Sequence, residues 1–329
     1  MQSAEQGWAV GDGGMVLHWD GLQWRPVIRP VISSLNSISV VPGTDGEQVW
    51  VSGGSQNLLR WDGQSWQVEP GPAYSAHDLL MLSAGEGWLE GYSAPPERKP
   101  VFYRWDGAAW SEVAHPGPQA AYRLDALAPD DIWAAGWDGG LFHWDGSAWS
   151  AAASPTTEDL RDLKMLAPDD GWAVGGRGVL LHWDGAAWTA VSSPTTHYLE
   201  ALAFSSPSEG WAMGVLNTYL RWDGSAWSQV DGPLASMRTA AMLGAGQGWA
   251  GGYQGAIAFF DGAAWSLVDS PTGSNLYDLE MVSAEDGWMV GENGVILRYT
   301  AQLAPAGEMP GGQRGKPRTT GVGPPRRGR

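Results

Sequence analysis

Short apolar runs alternate with tight polar breaks along most of this chain. In the stretch that shows the pattern best, LRDLKML is followed by APDD, GWAVG by GRG, VLLHW by DGAA, and WTAV by SSPTT. The apolar runs are only a few residues long and rich in β-branched and aromatic side chains. None sustains a 3.6-residue period, so the pattern predicts strands and no helix of consequence. Glycine or Asp-Gly lies between consecutive runs, the strongest local signal for a tight antiparallel hairpin. The unit is therefore a four-stranded antiparallel meander, with strands a to d in chain order.

The unit recurs. The tryptophan of its b strand stands at Trp8, Trp50, Trp88, Trp133, Trp172, Trp211, Trp249 and Trp288, in steps of 38 to 45 residues. The aspartate of the WDGxxW turn between strands c and d stands at Asp20, Asp62, Asp106, Asp145, Asp184, Asp223 and Asp261, and the eighth copy degenerates to Tyr299-Thr300. Four strands at a period near 40 describe a β-propeller blade, whose sheet buries its faces by stacking on its neighbours around an axis. The expected fold is all-β: a β-propeller over residues 1–300. Eight b–c hairpins favour eight blades, two of them incomplete, with seven as the alternative. The first copy lacks strand a and the last lacks strand d. Starting in mid-blade suggests that residues upstream of Met1 are missing.

Composition sharpens this picture. Twenty-one of the 22 tryptophans occupy repeat positions, so they read as packing; Trp137 is the exception. The chain carries −17 overall, but residues 300–329 hold six basic side chains and one acidic, a net +5 that leaves −22 for the body. An acidic body disfavours nucleic acid, which needs a basic face. The Gly-, Pro- and Arg-rich segment 301–329 is expected to be a disordered tail. Cysteine is absent, which excludes thiolate metal sites and disulfides. No run of about 18 apolar residues exists, so no helix is expected to span a membrane. A secreted, periplasmic or cell-surface location is the expectation, although MQSAEQGWAVG holds no leader-like apolar run.

The repeated WDG aspartates invite a catalytic reading, but copies on separate blades cannot converge. They read as acceptors of backbone N–H groups, with glycine supplying positive φ. His18, His143 and His182 precede WD on separate blades and cannot share a metal; they are expected to lean on tryptophans or pair with carboxylates. Propeller topology places a–b and c–d turns on one face, and b–c and d–a loops on the other. The first face is nearly constant here and the second varies, which is where specificity resides on a rigid scaffold. Two sets on that face are candidate ligand-binding residues: the b–c loop aromatics Tyr92, Trp137 and Tyr253, and the strand-a starts His77, Tyr122, Arg161, Glu200, Arg238 and Tyr277. The latter are polar enough to line the mouth of a water-filled channel. No cofactor and no metal are expected.

The repeat GWAVGxxGxLxHWDGxxW, spanning residues 5–299, resembles the BNR/Asp-box propellers and, among them, the photosystem II stability/assembly factor-like family. The spacing from Asp184 to Trp188 is one residue shorter than in the Asp-box, and His or Arg replaces its Ser/Thr. The second copy, with LLRWDGQSWQ after its hairpin, is also similar to tectonin-type lectin repeats. These resemblances imply a non-enzymatic propeller that binds a protein or peptide, with a glycan lectin using Tyr92, Trp137 and Tyr253 as the alternative; a monomer is expected. A sialidase-type hydrolase drafting Arg123, Arg161 and Arg238 with Tyr277 and Glu200 is a remote third.

Overall fold

The computed structural model describes residues 7–11, 15–19, 24–27, 34–44, 48–54, 57–244 and 246–300. The tail 301–329 lies outside the described residues. Seven sheets form a closed ring: blade 1 (35–70), blade 2 (75–113), blade 3 (121–151), blade 4 (160–190), blade 5 (199–229), blade 6 (237–268) and blade 7 (276–300). Blades 1 to 6 are four-stranded antiparallel meanders; among the described residues blade 7 has three strands, Leu276–Met281, Asp286–Gly291 and Ile296–Thr300. The only helical elements among the described residues are single 3-10 turns.

The favoured count of eight is corrected to seven. The first b–c hairpin joins Trp24–Val27 in a separate three-stranded sheet, Gly7–Gly11, Met15–Trp19 and Trp24–Val27. The ring closes without it, blade 7 packing directly on blade 1. There Asp278 Oδ2 accepts the Ile38 N–H at 2.9 Å, and Trp288 packs on Trp61 and Trp66 at centroid distances of 5.8 and 5.5 Å. Eight hairpins did not make eight blades because a blade also needs an inner strand, and the described residues hold seven strand-a segments.

Two layers hold the blades together. At the periphery, the b-strand tryptophan of one blade meets the aromatic pair ending strand c and starting strand d of the next. Trp172, for example, lies 4.8 Å from Trp222 and 5.4 Å, edge-on, from Trp227. The triad recurs as Trp50/Trp105/Trp110, Trp88/Trp144/Trp149, Trp133/Trp183/Trp188, Trp211/Phe260/Trp265 and Trp288/Trp61/Trp66. Tilted and edge-to-face rings at these distances add about 0.5–1.5 kcal/mol per pair beyond burial. The tryptophans act mainly through this packing. Trp105, Trp183 and Trp222 donate to carbonyl oxygens, but ten buried indole N–H groups among the described residues meet no acceptor.

Near the axis, polar side chains on strand a clamp the next blade's strand a. Asp78 accepts from Leu124 N at 2.6 Å, Asp125 from Met165 N at 2.7 Å, and Asp162 from Leu202 N at 2.6 Å. Ser37 and Ser39 do the same for Leu79 N and Met81 N. The turn aspartates behave as expected: Asp184 Oδ1 accepts from Ala186 N and Ala187 N, both at 2.9 Å, and Gly185 has φ +89°. The described histidines of the repeat also match expectation. His143 pairs with Asp131 at 2.8 Å and stacks on Trp133, while His182 pairs with Asp170 at 2.9 Å beside Trp172.

Candidate functional site: the variable loop face

In blades 3 to 7 the b–c loop on this face is a short turn whose second and third residues take positive φ. In blade 3 these are Asp138 (φ 49°) and Gly139 (φ 73°), and in blade 6 Gln254 (φ 56°) and Gly255 (φ 72°). A Cβ at Gly139 would sit 2.0 Å from the Thr156 carbonyl oxygen, so the turn backbone rests directly on the following d–a link. The residue before this pair, Trp137 or Tyr253, is thereby held at the loop tip by rigid backbone.

The nine candidate residues come together on this face in two arcs. The first crosses blades 2 to 4. His77 lies 5.1 Å from Tyr92 and 5.8 Å from Tyr122; Tyr122 stacks on Trp137 at 5.6 Å and 25°; the Arg161 guanidinium lies 4.3 Å above Tyr122. The second crosses blades 5 to 7. Tyr253 Oη donates to Glu200 at 2.9 Å, and the Arg238 guanidinium lies 4.2 Å above Tyr277. Each guanidinium carbon lies over a tyrosine ring, a cation–π arrangement.

Neighbouring groups set the charge states. Burial opposes charge on His77, but the Glu90 carboxylate 3.0 Å away outweighs it and raises the histidine; burial likewise raises Glu90, so the pair keeps a proton to higher pH than a free histidine. Burial pushes Tyr122 up to about 12, against the nearby Arg161, so its hydroxyl stays protonated. Burial and Glu200 raise Tyr253, which remains a donor to that carboxylate.

Sequence reasoning missed several members. Asp159 pairs with Arg161 at 3.0 Å, and Tyr198 lies 5.9 Å from the same guanidinium. Of the six exposed large hydrophobics among the described residues, four are on this face: Trp137 (42% exposed), Tyr198 (39%), Leu216 (68%) and Leu234 (86%). Their signal was an apolar residue inside a polar link, visible only once the loops are known to share a face. A cavity of about 430 Å³ lined by Leu234, Tyr253 and Ile257 opens between blades 5 and 6. A larger one of about 520 Å³ lies among the scaffold residues Trp50, Trp105 and Trp110 of blades 1 and 2.

Below the mouth the axis carries a charged cluster. Arg123 contacts Asp278 at 2.9 Å, Asp162 at 3.2 Å and Asp78 at 3.4 Å, where a water-filled channel was expected. The drafted arginine triad is therefore corrected. Arg123 is neutralised by three buried aspartates, while Arg161 and Arg238 sit on separate tyrosines at the mouth. Among the described residues no cluster of His, Asp or Glu could hold a metal. Also among them, no helix is long and apolar enough to cross a membrane.

Fold and face together define a seven-bladed propeller with one constant and one variable surface. Its fold is similar to YCF48 from Cyanidioschyzon merolae, with a TM-score of 0.67, 19% identity, and coverage of 84% of this chain and 98% of that one. It is equally similar to YCF48 bound to D1 peptide, with a TM-score of 0.67 and 20% identity over 83% of this chain and 93% of that one. At such identity the likeness is one of fold. No protein-family model matches the sequence, and no curated protein matches it. The solved neighbours thus agree with the propeller fold that the repeat predicts.

Proposed function

We propose that this propeller is a non-enzymatic module that holds a polypeptide partner across its variable loop face. The carrying observation is the concentration of Trp137, Tyr198, Leu216 and Leu234 on the face that also presents Arg161, Arg238 and Glu200. Exposed apolar anchors ringed by charged groups are what a peptide interface needs. The YCF48 structure with a D1 peptide supports the reading, as a propeller of similar fold that takes a peptide. A glycan ligand is less favoured, because Trp137 already stacks on Tyr122, and Tyr92 and Tyr253 belong to different arcs.

The test is selection from a random peptide phage library on immobilised protein, repeated with Arg161→Glu combined with Arg238→Glu. Enrichment of a common motif by the parent and its loss in the folded variant is the expected result. Peptides that bind both equally would place recognition elsewhere. Hits on a glycan array with no peptide enrichment would overturn the reading in favour of a lectin.

A further inference from the structure

Two positions of the repeat are matched across the b–c hairpin. One lies two residues before the b-strand tryptophan and the other lies opposite that tryptophan on strand c. In five blades they carry an acid and a base that bond to each other: Arg104 with Glu86 at 2.6 Å, His143 with Asp131 at 2.8 Å, His182 with Asp170 at 2.9 Å, Arg221 with Glu209 at 2.8 Å and Arg298 with Asp286 at 2.7 Å. In blade 6 both are replaced together, by Gln247 and Phe259. Blade 1 breaks the match. Gln48 takes the place of the acid, but Arg60 keeps the cation, opposite Trp50.

Arg60 faces a cavity. Its guanidinium lies 5.7 Å over the Trp50 ring, and its Nε is shut off from solvent and meets no hydrogen-bond acceptor. Among the described residues no carboxylate pairs with it. The cavity, of about 520 Å³, lies between the outer strand of blade 1 and the c–d turn of blade 2, and is lined by Arg60, Glu69, Trp50, Trp105 and Trp110 among others. Trp110 stays partly exposed there, whereas the corresponding Trp149, Trp188, Trp227 and Trp265 are buried. An unneutralised arginine and uncovered indole surface thus meet in one hollow.

We propose that this cavity binds a monocarboxylate with an apolar body, its carboxylate on Arg60 and its body against Trp105 and Trp110. The other blades show what a cation at this position takes, because five of them supply a carboxylate from within the chain. A guanidinium matches a carboxylate as a planar fork, and a buried charged donor without an acceptor is unfavourable until one arrives. The tryptophan walls provide apolar cover for the rest of the molecule. Glu69 in the same wall sets a second negative charge at a disadvantage, which selects against dicarboxylates and phosphates. A free acid and the C-terminus of a polypeptide share this chemistry, and the probes below separate them. The site has no residue in common with the two arcs of the variable face, so the inference stands apart from the peptide reading.

The full chain is titrated by ligand-observed NMR with 3-phenylpropionate, with 3-phenylpropionamide and with the peptide acetyl-Gly-Gly-Gly-Phe bearing a free C-terminus. Binding of an acid and not of the amide is expected, and the tighter of the two acids identifies the source. Gln48→Glu gives blade 1 the acid that Glu86 supplies in blade 2. It is expected to weaken binding at least about tenfold while raising the denaturation midpoint, so lost binding is not lost folding. Arg60→Met is expected to weaken binding equally. Arg161→Glu combined with Arg238→Glu is expected to leave it unchanged. The proposal is overturned if neither acid binds at millimolar concentration, if the amide binds as well as the acid, or if Gln48→Glu binds as the parent does. Loss of binding in the Arg161→Glu, Arg238→Glu variant alone overturns it in favour of the variable face.

Discussion

The two faces of the ring are made by turns of comparable tightness, yet they carry opposite information. On one face the c–d turn repeats Asp-Gly, with each Asp bonding two backbone N–H groups of its own turn. On the other, the b–c turn keeps its backbone but changes its tip: Trp137 in blade 3, Gly176 in blade 4, Tyr253 in blade 6 and Glu292 in blade 7. A fixed turn chemistry marks a position whose only task is to reverse the chain. A fixed backbone under changing side chains marks a position whose geometry is reserved for something outside the fold.

The comparison can be broken most forcefully on the scaffold side. Trp172→Ala removes the ring shared with Trp222 and Trp227 and is expected to cost about 3–5 kcal/mol, measured by denaturant unfolding. Arg123→Met should fall in the same range, roughly 3–5 kcal/mol, because it leaves three buried carboxylates without their cation. A loss of under 1 kcal/mol from either would deny those residues the structural role assigned to them.

Next in size is a pH effect from the axis. Burial pushes Glu280 up to about 8 and Asp78 to about 7. An acid raised in the folded state favours folding while protonated, so its contribution is complete below its ordinary range near 4.5. That contribution is lost as pH rises toward and through about 8. Stability should drop on the order of 2–3 kcal/mol between about pH 5 and pH 8.5, and Glu280→Gln should flatten the profile. A profile unchanged by that substitution would mean that Glu280 titrates normally.

Gly178→Ala tests the turn backbone of the variable face. A Cβ there, at φ +73°, would lie 2.1 Å from the Thr195 carbonyl oxygen. The expected loss is about 1–3 kcal/mol. Trp137→Ala, on the same face, should change stability by less than about 0.5 kcal/mol while abolishing capture of the selected peptides. Equal stability losses for Trp137→Ala and Trp172→Ala would erase the distinction between the faces.

Much of the fold could be read from residues because it rests on local rules. The position of each Trp, Asp-Gly and proline gave strands, turns and the meander without any long-range knowledge. The blade number could not be read in the same way. It depends on which strands find partners across 240 residues, as Ile38 does with Asp278. The candidate residues were legible as positions where copies disagree, and the fold brought all nine onto one face. Their grouping into two arcs, and the addition of Tyr198 and Leu234, required the loops to be placed side by side.

Arg123 shows where sequence reasoning stopped. It was drafted beside Arg161 and Arg238, one and three blades further on, yet it stands one residue past the strand-a start Tyr122, where those two are the strand-a starts themselves. A one-residue offset in a strand turns a side chain to the opposite direction. Arg161 and Arg238 thereby reach tyrosines at the mouth, while Arg123 enters the axis among Asp78, Asp162 and Asp278. The sequence alone determined the repeat, its strands and its turns, since each is set by neighbours a few residues apart. Only the tertiary structure decided the number of blades, the charged cluster in the axis and the membership of the variable face, because these depend on contacts between segments that the chain order keeps far apart.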